Sequence, residues 1–441
     1  MNATAPLDTF DEWLGKLPSG WSLKKVGREF KVVGSGTTPP TENPAWYGDG
    51  YPWVTTGELR ETLITETEKS VTEEAIRAFT TLRRYQPGSL LVAMYGATIG
   101  RTGILGCEAT TNQACCAMAE PIGLEPRYVY YWLQAFREQL IRKASGGGQP
   151  NVNQDTIREL RISSPDRQLQ QSIANFLDAQ TARIDALIAE KERLQAAVTE
   201  LFRARLGTAV VEGVGAKRRL AAAPNKGFSL VREDWALVPL KYIASSSGGM
   251  TPSKDNMDFW GRDIPWVSPK DMKRFVLHGS EDHITEAALA ATSLKLQPVG
   301  SVLVVVRGMI LAHTFPVATN AVPVTINQDM KALRAIGRVS AQYLAWMLRG
   351  LQPLILSLTE ESAHGTKALR TDQWANQPVP VPSTEEQNAL VAQFEKWEEE
   401  TNDLSVHLSE HIARLREYRS SLISAAVTGQ IDISSYKMKV S

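Results

Sequence analysis

Residues 166–212 read DRQLQQSIANFLDAQTARIDALIAEKERLQAAVTELFRARLGTAVVE. No Gly interrupts the stretch before Gly207, and Pro165 lies just ahead of it. Apolar or long side chains recur in steps of four and three at Ile173, Leu177, Gln180, Ile184, Leu187, Lys191, Leu194, Val198 and Leu201. That spacing predicts a heptad seam on one long helix. At ~1.5 Å rise per residue the helix spans on the order of 65 Å. A second stretch repeats the steps at Leu390, Phe394, Trp397, Thr401, Leu404, Leu408, His411, Leu415, Tyr418 and Leu422. Each rod needs a cover, and the other rod is the candidate with the higher effective concentration. Pairing of each rod with another chain is the alternative. Asp166 after Pro165, and Ser383 with Glu386 after Pro382, read as helix starts. Gly213 and Gly429 read as helix ends.

Outward from the rods lie two segments that repeat one another. Thr38-Pro39 recurs as Thr251-Pro252, Trp46-Tyr47-Gly48 as Phe259-Trp260-Gly261, and Pro52-Trp53-Val54 as Pro265-Trp266-Val267. Thr72-Glu73, Gln86-Pro87, Asn112-Gln113 and Tyr128 recur in order as Thr285-Glu286, Gln297-Pro298, Asn327-Gln328 and Tyr343. The chain is therefore globule, rod, globule, rod, a unit too long for a solenoid repeat. The expected boundaries are a lead-in over 1–20, a first globule over 21–165, a rod over 166–212 and a linker over 213–234. A second globule over 235–382, a rod over 383–429 and a tail over 430–441 follow. Short β-like runs such as Ser89-Leu90-Leu91-Val92-Ala93-Met94-Tyr95 fill the globules, with one clear helix over 127–143 in the first. The fold class is α+β, with two similar domains separated by two long helices that pair as an antiparallel coiled coil, related by a pseudo-twofold.

Composition bounds the chemistry. With 441 residues, 43% hydrophobic and 22% charged, the chain reads as two or three globular domains. A formal net charge of +0 leaves any nucleic-acid binding to local patches. Cys107, Cys115 and Cys116 form no closed disulfide set and show no zinc spacing. No apolar run suits a membrane span or a signal peptide, so the expected location is cytoplasmic. There is no phosphate loop and no nucleophile elbow. Gly96-Ala97-Thr98-Ile99-Gly100 lacks dinucleotide-binding spacing. His407 and His411 are four apart but lack a third ligand, so no metal site and no catalytic residue is assigned.

The globules do offer polar loops at matched positions. Framework residues agree between the copies while loop residues differ, as expected of two scaffolds reading different ligands. In the first copy the candidates are Thr37, Thr38, Thr55, Thr56, Glu58, Arg60, Tyr95, Thr98, Arg101, Ser145, Gln149 and Asn151. In the second they are Met250, Thr251, Ser268, Lys270, Lys273, Arg307, His364, Thr366 and Lys367. The basic members are suited to phosphate contact.

These motifs in this order resemble the specificity subunit of type I restriction–modification systems. The carriers are Gly20-Trp21, Gly36-Thr37-Thr38-Pro39 with Gly249-Met250-Thr251-Pro252, and the two Pro-Trp-Val runs. Trp235 to Leu240, Pro87-Gly88-Ser89-Leu90-Leu91-Val92, Gly96-Ala97-Thr98-Ile99-Gly100, both Asn-Gln pairs, Pro380-Val381-Pro382 followed by Glu386-Gln387, and Ala425-Ala426-Val427-Thr428-Gly429-Gln430-Ile431-Asp432 complete the set. Two departures are visible. Arg307-Gly308-Met309-Ile310-Leu311 replaces the Gly-Ala-Thr-Ile-Gly turn in the second copy, and Gln168 opens the first rod where the second has Glu386-Gln387. The resemblance implies two target-recognition domains, each reading half of a split double-stranded DNA sequence, and a chain that is itself non-catalytic. It implies two modification (methyltransferase) subunits bringing S-adenosylmethionine, and two restriction subunits using ATP and Mg for host defence. Two other readings stay open: a self-contained methyltransferase or nuclease, and a coiled-coil adaptor holding protein through the same loops. The first would need a donor-binding Gly-rich turn that is not seen; a gel shift separates the second.

Overall fold

The computed structural model describes residues 17–142, 151–215, 219–223, 227–361 and 366–433. The chain divides into two compact units, Met1–Lys191 with Glu410–Ser441, and Glu192–Ser409. Each unit holds one globule and parts of both long helices.

In the first unit, Ser22–Lys25 pairs antiparallel with Arg161–Ser164, closing the two ends of the globule on one another. A five-stranded sheet runs in the order Phe30–Ser35, Cys115–Pro121, Leu90–Ala93, Thr102–Leu105, Leu63–Ile64. Only its last pairing is parallel. Leu90–Ala93 is buried at every position, the pattern of a strand covered on both faces. A three-stranded sheet centres on Tyr47–Val54, with Ser70–Val71 antiparallel on one side and Thr110–Thr111 parallel on the other. The helix Pro126–Ala135 begins with Pro at its first turn, where a missing N–H is tolerated. It buries Tyr128, Trp132 and their neighbours in the core. The single helix expected over 127–143 is instead two, because Phe136 leaves helical geometry at φ −108°, ψ 21° and turns its ring onto Trp132. Arg137–Arg142 follows as a separate helix.

The second unit repeats this topology. Ala236–Pro239 pairs with Pro378–Val381. The five-stranded sheet runs Ala244–Gly248, Met330–Ala335, Val302–Val305, Val317–Asn320, Val276–Leu277. The three-stranded sheet centres on Trp260–Val267, and Ala341–Gly350 takes the place of the buried helix. Part of the stretch expected as linker is a hairpin, Leu220–Ala223 with Phe228–Arg232. Phe228 and Val231 join the core of this unit beside Trp235, which a polar, Pro- and Gly-containing reading of 213–234 as linker does not foresee. Thr359–Glu361 and Lys367–Leu369 form a further short hairpin.

The long helices run over Arg167–Glu212 and Thr384–Val427. In the first unit, Ile173, Leu177, Ile184 and Ile188 share one core with Ile412, Leu422, Ile423 and Ala426. Arg419 Nε reaches Asp185 Oδ1 at 2.9 Å across the pair. In the second unit, Leu206 and Val210 share a core with Leu390, Val391 and Phe394. There Gln195 Nε2 donates to Ser409 Oγ at 2.8 Å, and Arg205 lies over the Trp397 ring at 4.1 Å. The start of each helix thus meets the end of the other, an antiparallel pairing in both units.

The seam differs from its expected line. Ile173, Leu177, Ile184, Leu390, Phe394 and Leu408 are buried, and Trp397 and Leu415 are partly so. Leu187, Leu194, Leu201 and Leu404 are between 43% and 59% exposed, and Tyr418 and His411 are exposed too. The second line of the seam falls one residue later, on Ala174, Thr181, Ile188, Gln195 and Phe202, and on Val391, Glu398, Ser405, Ile412, Arg419 and Ala426. The physical reason is that each helix is covered by a globule as well as by its partner, which turns the buried face toward that globule. Thr181 accepts or donates against Tyr131 Oη at 3.2 Å, and Glu398 binds Arg349 at 2.5 Å. Small and polar residues on that face hide it from a search for aliphatic periodicity.

Candidate nucleic-acid interface

In both units a Gly-containing turn is wedged against the Asn-Gln turn. Gly36 N donates to Thr111 Oγ1 at 3.0 Å, and Met250 N to the Ile326 carbonyl at 3.0 Å. A Cβ on Gly36 or Gly249 would lie 1.7 or 2.1 Å from a backbone oxygen, so only glycine permits this approach. The Trp53 indole N–H donates to the Thr37 carbonyl at 3.1 Å, and that of Trp266 to the Met250 carbonyl at 2.9 Å. Tyr47 Oη donates to the Pro39 carbonyl at 2.7 Å, and Trp260 Nε1 to that of Ser253 at 3.1 Å. The two rings of each platform, Tyr47 with Trp53 and Trp260 with Trp266, stand edge to face. Above them the Thr38 hydroxyl donates to Gln113 Oε1, and the Thr251 hydroxyl to Gln328 Oε1.

Several candidates gather around this platform. In the first unit Tyr95 Oη donates to the Gln113 carbonyl at 2.7 Å, and Tyr95 bridges to Asn151 through the backbone. Burial raises the Tyr95 phenol above its usual value. Thr98 closes the turn that precedes Arg101, whose N–H bonds to the Thr98 carbonyl at 2.9 Å. Asn112 N bonds to the Val54 carbonyl, bringing Thr55 and Thr56 alongside. In the second unit Arg307 bridges to Ala368 through the backbone, and Gly308 N bonds to the Lys367 carbonyl at 3.0 Å. This sets Thr366 and Lys367 next to the 307–312 turn. Arg307 lies 3.9 Å from Asp329. Ser145, Gln149 and His364 lie outside the described residues.

Other candidates have structural work that limits their freedom. Glu58 Oε2 accepts from Thr55 N at 2.8 Å and from the Thr55 hydroxyl. Asp271 does the same for Ser268, at 2.8 and 3.0 Å, and Ser268 is buried. These matched boxes shape the turn and leave Ser268 no exposed hydroxyl. Lys270 is held by Asp282 at 2.9 Å and Glu281 at 3.2 Å, and Lys273 by Glu281 at 3.4 Å. The Asp282 and Glu281 hydrogen bonds push Lys270 above the usual lysine range, and Lys270 in turn holds Glu281 low. Met250 accepts from the Ser293 hydroxyl and packs among Trp260 and Trp266. Arg60 Nε donates to the Gly57 carbonyl at 3.0 Å. It lines a cleft with Glu61, Gln134, Arg137 and Arg419, away from the platform residues.

Gln113 and Gln328 were not among the sequence candidates. Their only signal was the recurrence of the Asn-Gln pair, which looked like framework. Among the described residues no group of three or more His, Cys, Asp or Glu could hold a metal, and no helix is long and apolar enough to cross a membrane. His407 and His411 are both exposed.

Comparison with known proteins bears on what this surface serves. The family described as type I restriction modification DNA specificity domain matches residues 18–196 and again 232–414. The specificity subunit of the Escherichia coli type I restriction enzyme EcoR124I/EcoR124II is 29% identical over 300 residues, covering 66% of this chain and 68% of that protein. The MjaIX specificity subunit of Methanocaldococcus jannaschii is 26% identical over 288 residues, covering 64% of this chain and 65% of that protein, just under two thirds. Two solved structures share the fold at 17% identity over 94% of this chain. One comes from a study of complex assembly and conformational transition of the type I R-M system, with a TM-score of 0.71 and all of that chain covered. The other is the HsdS subunit from Thermoanaerobacter tengcongensis, with a TM-score of 0.53 and 98% covered. Two copies of the domain, in matching order with the duplicated topology, make this chain a member of the type I restriction–modification DNA specificity family.

Proposed function

We propose that this chain reads a two-part duplex DNA sequence, one part through each recognition domain, and addresses enzymes that it does not itself contain. Two modification subunits bring S-adenosylmethionine and transfer the methyl group. Two restriction subunits use ATP and Mg to cleave. The chain works beside them in the cytoplasm. The observation that carries this reading is one frame with two sets of loop residues. Two platform contacts recur, the indole bonds of Trp53 and Trp266 and the Thr–Gln pairs, while Tyr95 to Arg101 in one copy stands where Arg307 to His313 stands in the other.

Replacing 21–165 by the matching domain of a relative, followed by methylome sequencing of cells carrying the whole system, tests it. One half of the methylated motif should change and the other persist. A swap that scrambles both halves refutes independent reading. Both long helices continue from one unit into the other, which supports a further element of the proposal, that they set the gap between half-sites. Removing the heptads 184–190 and 401–407 together shortens the helices by ~10.5 Å. The preferred gap should then fall by up to about three base pairs.

A further inference from the structure

Resting on that reading, we infer that Gln113 and Gln328 are the contacts each recognition domain makes to the DNA backbone, through their side-chain amide N–H groups, and that they set its register on any sequence. Both side chains are exposed, yet each is pinned by a threonine hydroxyl from a neighbouring turn. An exposed glutamine ordinarily keeps its rotamer freedom, which is among the largest of any side chain. Here the platform beneath removes it, twice, with the same partners. Holding Oε1 on Thr38 or Thr251 leaves the two Nε2 hydrogens to bind elsewhere. Among the described residues that nitrogen makes no hydrogen bond in either unit.

A group that offers donors with its acceptor engaged suits a ligand that only accepts. Bidentate pairing with adenine N6 and N7 would have to share Oε1 with the threonine, whereas guanine O6 and N7 and phosphate oxygens need donors alone. Phosphate oxygens accept only, and much of protein–DNA hydrogen bonding goes to them to fix register. The duplication points the same way. The loops around the platform differ between the units, so their ligands differ, whereas the Thr–Gln pair is the same in both. The feature that any two half-sites share, whatever their sequences, is the sugar–phosphate chain.

The test uses the full chain assembled with its modification subunits, on duplexes carrying the motif that the complex methylates. Single methylphosphonates, which neutralise one phosphate, are scanned through each half-site. Wild-type protein should lose affinity at a defined position in each half. Gln113→Ala should erase that sensitivity in one half only, and Gln328→Ala in the other. Each variant should bind roughly five- to tenfold more weakly to every sequence. The salt dependence should not change, because a neutral amide releases no counterion. Gln113→Glu keeps the acceptor for Thr38 and sets a negative charge toward the phosphate, so it should bind more weakly still. Thr38→Val should show a smaller loss of the same kind. A changed base preference in the methylated motif, or unaltered methylphosphonate sensitivity in both Ala variants, overturns the inference while leaving two-part reading intact. A complex that selects no motif at all overturns both.

Discussion

Gln170 and Gln387 sit at matching places, one turn into each long helix, and both are completely buried. Gln170 Oε1 accepts from Glu125 N at 2.8 Å, and its Nε2 donates to Pro165 O at 2.9 Å, Ser164 Oγ at 3.2 Å and Gly123 O at 3.3 Å. Gln387 Oε1 accepts from Ser340 N at 3.0 Å, and its Nε2 donates to Arg338 O and Pro382 O at 3.1 Å. Each amide ties a helix start to the loop ahead of its own domain's buried helix. Gln170→Leu fills similar volume and strands one backbone N–H and up to three acceptors. The orphaned donor costs about 1–3 kcal/mol and the acceptors, which keep a second lone pair, rather less; the gain from the apolar side chain is about 1 kcal/mol. The expected net loss is about 3 kcal/mol, confined to one unit. Hydrogen exchange followed by mass spectrometry resolves this locally, since opening of a segment reports its own free energy. Amides of 161–177 and of Ser22–Lys25 should exchange roughly a hundredfold faster, with 378–394 unaffected. Gln387→Leu should give the mirror result. Acceleration shared equally by both units, or none in either, would refute the argument.

Two further outcomes follow from charge and burial. Burial pushes Tyr85 and Tyr130 up to about 12 and raises Tyr128 and Tyr131 further, all in the first unit, whereas Tyr343 alone is so placed in the second. A raised phenol contributes stability that is fully present below pH ~10 and is lost as pH climbs through the folded value. The first unit should therefore become protease-sensitive at lower alkaline pH than the second; the opposite order would count against the assignment. Arg101 has no ion-pair partner among the described residues, so Arg101→Ala should weaken binding to all DNA and reduce the salt slope by about one. Lys270→Ala should do much less, because Asp282 and Glu281 already hold the ammonium; equal losses would refute the distinction.

The duplicated frame was legible because its signals are local. Thr-Pro, Pro-Trp-Val and Asn-Gln are turn and strand-end residues that sit at fixed points of both sheets. The starts of the rods were legible for the same reason: Asp166 accepts from Leu169 N at 3.0 Å, and Ser383 and Glu386 form their reciprocal box. The exposed face of the rods was misjudged because Leu187, Leu194 and Leu201 mimic a seam, while the covered line contains Thr181 and Gln195. That line is fixed by tertiary partners such as Tyr131 and Ser409, which no heptad count contains. Gln168 was matched to Glu386-Gln387 by position alone. Gln170 makes the contacts equivalent to those of Gln387, and only burial reveals it. Among the surface loops the sequence shows which residues can bind, but not which are already bound. Lys270 and Arg101 look alike in a sequence and differ by two carboxylates in space.

That internal pairing decides how such a chain can hold DNA. The formal net charge is +0, and Arg137, Lys270, Lys273, Arg349 and Arg370 each lie within 4.0 Å of a carboxylate. A phosphate at these five side chains would have to displace a carboxylate, so they add little net counterion release. Discrimination needs no such release, because hydrogen bonds to base edges are neutral and local. The proposed function then assigns choice of sequence to this chain and grip to the subunits it addresses. Alone, it should bind duplex with a salt slope well below that of a protein making ~6–10 phosphate contacts. Addition of the modification subunits should steepen the slope while leaving the order of sequence preference unchanged. A steep slope for the isolated chain, or a preference order that changes on assembly, would show that the division of labour is wrong.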